Sequence, residues 1–128
     1  MKTVAICGSM RFKKEIKNFT EDLKKRGVIV FSPYIEEDNN EWNRLSLQYK
    51  KFVALGLTHD HFYKIRIADV VFIYNKDGYV GISTTLEIGY AVGLGKPIYS
   101  LSEKDDELFR SILFRGVART TEELINNL

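Results

Sequence analysis

Hydrophobic and polar positions change period several times along the chain, and the changes divide it into alternating strands and helices. Thr3–Cys7 and Val28–Phe31 are short apolar runs that read as strands. Between them Phe12, Ile16, Phe19 and Leu23 recur at helical spacing with Lys and Glu opposite, predicting an amphipathic helix that runs to about Arg26 and ends at Gly27. Val70–Tyr74, VVFIY, is continuously apolar and β-rich, as suits a strand buried on both faces of a parallel sheet. Residues 75–81 break the run. From Thr84 the residues Leu86, Ile88, Tyr90, Ala91, Val92 and Leu94 follow at helical spacing, and Gly93, Gly95 and Pro97 close that helix. Pro97–Leu101 is the next strand. A parallel strand needs a crossover, and here the crossover is a helix, so the unit is βαβ.

The remaining segments fit the same alternation. After Ser32-Pro33-Tyr34, residues 35–41 are acidic and Asn-rich and form the one candidate mobile loop. A helix of mixed character is predicted through Trp42, Leu45, Leu47, Tyr49 and Phe52, and a separate one over Thr58–Ile67, capped by Thr58 or Asp60. Glu103–Phe114 reads as a helix and Arg115–Ala118 as a short edge strand. Thr120–Leu128 reads as a final helix capped by Thr120 or Thr121 with Glu123. About five strands alternating with helices predict one domain over residues 1–128. Its expected fold is a flavodoxin-like, Rossmann-like three-layer sandwich on a five-stranded parallel sheet of order 2-1-3-4-5.

Composition narrows the classes of function. At 45% hydrophobic and 28% charged residues the chain is ordinary for a soluble globular protein. Its net charge of +2 is too nearly balanced to argue for a polynucleotide partner or a membrane surface. The single cysteine, Cys7, excludes an internal disulfide. With neither a signal pattern at the N-terminus nor a long apolar span, the expected location is cytoplasmic.

The residue with the most chemical promise is Glu87. It is expected in the first turn of the helix after the central strand, outside the carboxyl end of a parallel sheet, where open α/β folds place their ligands. The helix dipole there favours its ionised form, and an ionised carboxylate above an apolar helix is a plausible nucleophile. Thr84-Thr85-Leu86-Glu87 equally satisfies the capping-box pattern, in which Glu87 reaches back to the N–H of Thr84, and helix physics alone does not choose. Gly8-Ser9 at a strand-to-helix turn is either a plain turn or a pair of free N–H groups for a phosphate. Cys7 reads as a small buried hydrophobe. His59, Asp60 and His61 invite a metal reading, but no second cluster completes the sphere and the two histidines point to different sides of a helix, so no metal is expected.

The stretch GISTTLEIGYAVGLGKPIYSL, residues 81–101, resembles the signature of the nucleoside 2-deoxyribosyltransferase family and its deoxynucleoside 5'-monophosphate N-glycosidase relatives. CGSMRF at Cys7–Phe12, HDHFYKIRIADVV before the central strand and LFRSILFRGVA near the end resemble the family in the same order. The resemblance implies that Glu87 attacks the anomeric carbon of a sugar, and that Gly8, Ser9 and Arg11 contact the sugar or a 5'-phosphate. Tyr34 and Trp42 are then candidates to stack on the nucleobase, their plainer reading being anchors of a surface loop. A functional aspartate of the family aligns with His61, with Asp60 one residue earlier, and Asp77 is a further candidate to handle a proton at the base. Ser111 matches a serine that reaches the 5'-phosphate of a neighbouring subunit, which implies a homo-oligomer with shared sites. The partner implied is a small nucleoside or nucleotide, with no cofactor. The chain departs from the family at Ala5, where relatives carry a tyrosine that orients the nucleophile, and at Gly81, where many carry an aspartate. Ser83-Thr84-Thr85 replaces a Gly-rich turn, and these hydroxyls are candidates to bind Glu87 or a sugar hydroxyl. The resemblance implies an enzyme that cleaves or transfers an N-glycosidic bond. The alternatives are a non-catalytic nucleotide-binding module using the same pocket and, more remotely, a flavin mononucleotide protein.

Overall fold

The computed structural model describes residues 2–35 and 39–128. Five short strands form one parallel sheet: β1 Val4–Gly8, β2 Val30–Phe31, β3 Val70–Tyr74, β4 Ile98–Ser100 and β5 Gly116–Val117. Their order is β2-β1-β3-β4-β5, as the alternation of elements predicts. In register, Val4 to Gly8 of β1 lie beside Val70 to Tyr74 of β3. The period of two along these strands sends alternate residues to opposite layers. Val4, Ile6, Val70, Phe72 and Tyr74 pack with Ile16 and Leu23 of helix α1 (Lys13–Lys25) and Leu124 of helix α6 (Thr121–Asn126). Ala5, Cys7, Val71 and Ile73 pack on the other side with Ile65 of helix α3 (Leu47–Ile67) and Ile88 and Ala91 of helix α4 (Ile82–Gly93). The result is the expected three-layer sandwich.

Helix ends follow local chemistry. Gly27 (φ 87°) and Gly95 (φ 71°) take the left-handed conformation just past α1 and α4. The next N–H in each case turns back to the helix, Val28 to the Leu23 carbonyl at 3.1 Å and Lys96 to that of Ala91 at 3.0 Å. Thr120 caps α6 by accepting from Glu123 N at 3.1 Å. Across the sheet's carboxyl end, buried Asn75 accepts from Ser102 N at 2.9 Å and donates to its carbonyl at 3.0 Å, tying the exit of β3 to that of β4.

Three expected elements are corrected. Thr58–Ile67 is not a separate helix but the second half of α3, which begins at Leu47 under the Ser46 cap. Thr58 caps nothing; its hydroxyl donates back to the Ala54 carbonyl at 2.7 Å. The break falls instead at Leu45–Ser46, after the short helix α2 (Asn39–Arg44), so residues 39–41 of the expected loop are helical and 36–38 lie outside the described residues. The helix expected over Glu103–Phe114 shrinks to α5, Leu108–Ser111. Side chains win the backbone there, with Ser102 Oγ accepting from Lys104 N and Asp105 Oδ1 from Glu107 N. Finally, α4 starts at Ile82 rather than Thr84. Among the described residues no helix is long and apolar enough to cross a membrane.

Candidate active site

Three elements bring their side chains to one point above the carboxyl end of the sheet. The alternation of β1 turns Cys7 towards α3 and α4. Along α3, His61 and Ile65 lie four apart, and both are buried against the sheet. Along α4, Thr84, Ile88 and Ala91 form the buried stripe, and Glu87 lies three residues after Thr84 on the same side with its side chain 16% exposed. His61 Nε2 consequently approaches Glu87 Oε2 to 2.9 Å and Cys7 Sγ to 3.3 Å.

Glu87 is thus in the second turn of α4, not the first, because the helix begins two residues earlier than its apolar spacing predicts. The macrodipole acts mainly on the first turn, so the histidine, not the helix end, is the group that faces this carboxylate. The capping box does not form, since Thr84 lies inside the helix and the N-cap is Gly81, which has no side chain to bond. Thr85 bonds back to the Gly81 carbonyl through both its N–H and its hydroxyl, at 3.0 and 2.9 Å.

Glu87 Oε2 is buried and lacks an aligned hydrogen bond, as does His61 Nδ1. The pair is close but off the ideal hydrogen-bond line, and the Glu87 side chain lines the cleft above the sheet. Burial pushes the Cys7 thiol well above its usual range, with the charge of Glu87 and the hydrogen bond to it adding to the effect. The thiol therefore stays protonated and is no nucleophile.

The cleft has a volume of about 430 Å³, within the range of small-molecule sites. Gly8 and Ser9 form one rim, Pro33 and Tyr34 another. Leu57 and Phe62 of α3 supply an apolar wall, and Gly81, Ser83 and Thr84 open the side towards α4. At Gly8 a side chain would press on the Tyr74 carbonyl at 3.1 Å and on Ile16 at 2.8 Å, so the close approach of β1 to β3 demands glycine.

Of the residues singled out from sequence, the cleft gathers Gly8, Ser9, Tyr34, His61, Gly81, Ser83, Thr84 and Glu87. The others lie elsewhere. Arg11 stacks its guanidinium 3.6 Å over the Tyr79 ring. Trp42 lines an adjoining depression with Tyr34 and Leu57. Asp60 is half exposed and pairs with Lys64 at 2.7 Å. Asp77, at φ 56°, borders a different depression with Lys76, Ser102 and Arg119. Ser111 bonds to the Leu108 carbonyl at 3.3 Å in α5. Sequence reasoning missed Cys7 as a neighbour of Glu87, and with it the donor set that the fold assembles around His61. The strand alternation, which turns residue 7 towards α3 and α4, is the one signal of it.

No family model and no curated protein sequence matches the chain. Solved structures do. A 2-deoxyribosyltransferase from Bacillus psychrosaccharolyticus superposes with a TM-score of 0.63 at 20% identity, covering 97% of this chain and 90% of that one. The chain shares the fold of that deoxyribosyltransferase. A conserved protein from Enterococcus faecalis V583 gives a TM-score of 0.66 at 14% identity over 98% of this chain and 96% of that one. The CMP N-glycosidase of Clostridium botulinum gives 0.53 at 18% identity over 98% and 97%. The sandwich expected from the sequence is therefore the sandwich of this group of folds.

Proposed function

We propose that the protein breaks the N-glycosidic bond of a nucleoside or nucleoside 5'-monophosphate, with Glu87 as the nucleophile and His61 as the group that handles the proton. The observation that carries this reading is the position of the carboxylate: Oε2 is buried 2.9 Å from His61 Nε2, on a side chain that lines a largely apolar cleft above the sheet. Two of the proteins with this fold are described as a 2-deoxyribosyltransferase and a CMP N-glycosidase, which supports the same class of chemistry here.

In the proposed reaction the Glu87 carboxylate attacks the anomeric carbon as the bond to the base nitrogen breaks, and the bonding pair leaves with the base. The transition state is oxocarbenium-like, so the carboxylate's charge stabilises it before bonding to it. Bond formation consumes that charge. His61 gives a proton to the departing base as general acid. In the second step water or a second base attacks the same carbon, gives its proton to His61 and releases the carboxylate, giving a hydrolase or a transferase respectively. His61 takes the role of the family's aspartate, while Asp60 pairs with Lys64 and Asp77 borders a different depression.

The active form is proposed to be a cytoplasmic homo-oligomer. Phe52, Ile82 and Phe109 are 74%, 85% and 80% exposed, an apolar surface on α3, α4 and α5 that a second copy would cover and through which Ser111 would reach a neighbouring cleft. Incubation with a panel of nucleosides and their 5'-monophosphates, with and without a second free base, followed by chromatography, tests the reading. Exchange identifies a transferase and release alone a hydrolase. Binding of panel members without turnover, unchanged in Glu87→Gln, would replace the enzyme reading with a nucleotide-binding module.

A further inference from the structure

Cys7, His61 and Glu87 offer one sulfur, one nitrogen and one oxygen donor, all within 4.8 Å of one another. They come from β1, α3 and α4, so the cluster is a product of the tertiary fold. Zinc bonds thiolate sulfur at about 2.3 Å and imidazole or carboxylate donors at about 2.0–2.2 Å, which separates donors on a tetrahedral ion by roughly 3.3–3.7 Å. The separations from His61 Nε2, 2.9 Å to Glu87 and 3.3 Å to Cys7, lie within about half an ångström of that range. The third pair, Cys7 and Glu87, lies within 4.8 Å, so side-chain shifts of about an ångström bring all three donors onto the ion.

Two further observations bear on it. Metal-free, the cluster leaves Glu87 Oε2 buried without an aligned hydrogen bond, and a cation among the three donors would satisfy it. His61 and Glu87 both line the cleft, so the ion's fourth position would face that space, the arrangement of three protein ligands and one open site.

We propose that Cys7, His61 and Glu87 form a zinc-binding site on the floor of the cleft, and that the bound ion reversibly blocks glycosyl chemistry by occupying the Glu87 carboxylate. The site stands on its own geometry; the blocking role rests on the reading of Glu87 as nucleophile. Binding replaces the Cys7 S–H bond with a zinc–thiolate bond and releases that proton to solvent. Among the described residues His61 Nδ1 has no partner to fix the ring, and loss of such a partner typically lowers metal affinity by about 10–100-fold. The site is accordingly weaker than a four-ligand structural one.

The test is titration of chelator-treated protein with zinc against a chromophoric chelator, repeated with cobalt(II). One equivalent of zinc is expected, with a thiolate-to-cobalt charge-transfer band. Cys7→Ser and Cys7→Ala should both lose the band and lower zinc affinity by about 100-fold or more, with two variants guarding against a folding defect in either. The exposed neighbour variant His59→Gln should change neither. Absence of a one-equivalent site, a cobalt spectrum without the thiolate band, or unchanged affinity in folded Cys7 variants would each overturn the site. Zinc should also suppress base release or exchange by the wild type, and EDTA should restore it. Zinc binding with turnover unaffected would overturn the blocking role. Zinc binding by a protein that turns over no nucleoside would sustain the site, and would overturn both the glycosyl reading and the blocking role.

Discussion

Among the described residues two carboxylates are withdrawn from water, and their surroundings treat them in opposite ways. Asp105, with no exposed side-chain surface, accepts from Arg110 Nη2 at 2.6 Å, from Arg110 Nε at 2.8 Å and from Glu107 N at 2.9 Å. Burial pushes its carboxyl up, but the Arg110 hydrogen bonds, the Glu107 N–H and the guanidinium charge outweigh this and hold it below the usual carboxylate range. Glu87 has only the misaligned approach of His61 and the thiol beside it. A carboxylate whose lone pairs are all committed orders its loop and has nothing left for a substrate. One without that full set of partners, on a side chain that lines a cleft, costs more to bury and can meet a ligand.

Glu87→Gln cuts deepest into that contrast. It keeps the shape and removes the charge, so turnover should fall by about 10³-fold or more while the melting temperature stays within a few degrees. Assay of the chromatographic panel beside a thermal melt reads both. Asp105→Asn should do the reverse. The pair with Arg110 is part-buried, so losing its charge-assisted hydrogen bonds costs roughly 2 kcal/mol, or about 7 °C in a chain of this size, and leaves the Glu87 cleft intact.

The acid side of the stability curve sharpens the same point. The folded-state carboxyl of Asp105 lies below its unfolded value of about 3.9, so its contribution is full above that pH and is lost as pH falls through the lowered value. The melting-temperature gap between wild type and Asp105→Asn should hold steady above about pH 5 and close in stronger acid. A gap that persisted there would assign the loss to packing instead. For the proposed proton handler, His61→Gln should slow turnover by about 10²-fold, within the range of general acid–base catalysis, with a smaller effect on KM. The smallest effect belongs to Asp77→Asn. Its carboxylate borders another depression, so turnover should stay within about two-fold, and a larger loss would return Asp77 to the candidates for the acid.

How much of this was legible beforehand varies by element. Val70–Tyr74 could be read as a doubly buried strand because five apolar residues in a row have no other use in a parallel sheet, and all five are buried. The length of α3 could not, because its apolar residues do not keep to one face. Leu47, Tyr49, Phe52 and Leu55 are all exposed, so no stripe runs from the Ser46 cap to His61. The 103–114 segment misled for a different reason. Ser102 and Asp105 offer side-chain acceptors to the backbone, and Asp105 finds Arg110 five residues on, which makes a turn the better solution.

In the site, the identity of Glu87 came from residues near it in sequence and its circumstances from residues far away. The order of apolar runs and glycines is local information, and it determined the alternation of elements, the parallel sheet of order 2-1-3-4-5 and the presence of a carboxylate on the helix after the central strand. Only the tertiary structure decided between Asp60, His61 and Asp77 as companions of that carboxylate. Cys7 lies 54 residues from His61, and that pair meets Glu87 only because β1 and β3 run side by side beneath α3 and α4. Periodicity records which way a residue faces on its own element. Which faces then meet is set by the packing of whole elements, and no stretch of sequence shorter than the fold contains it.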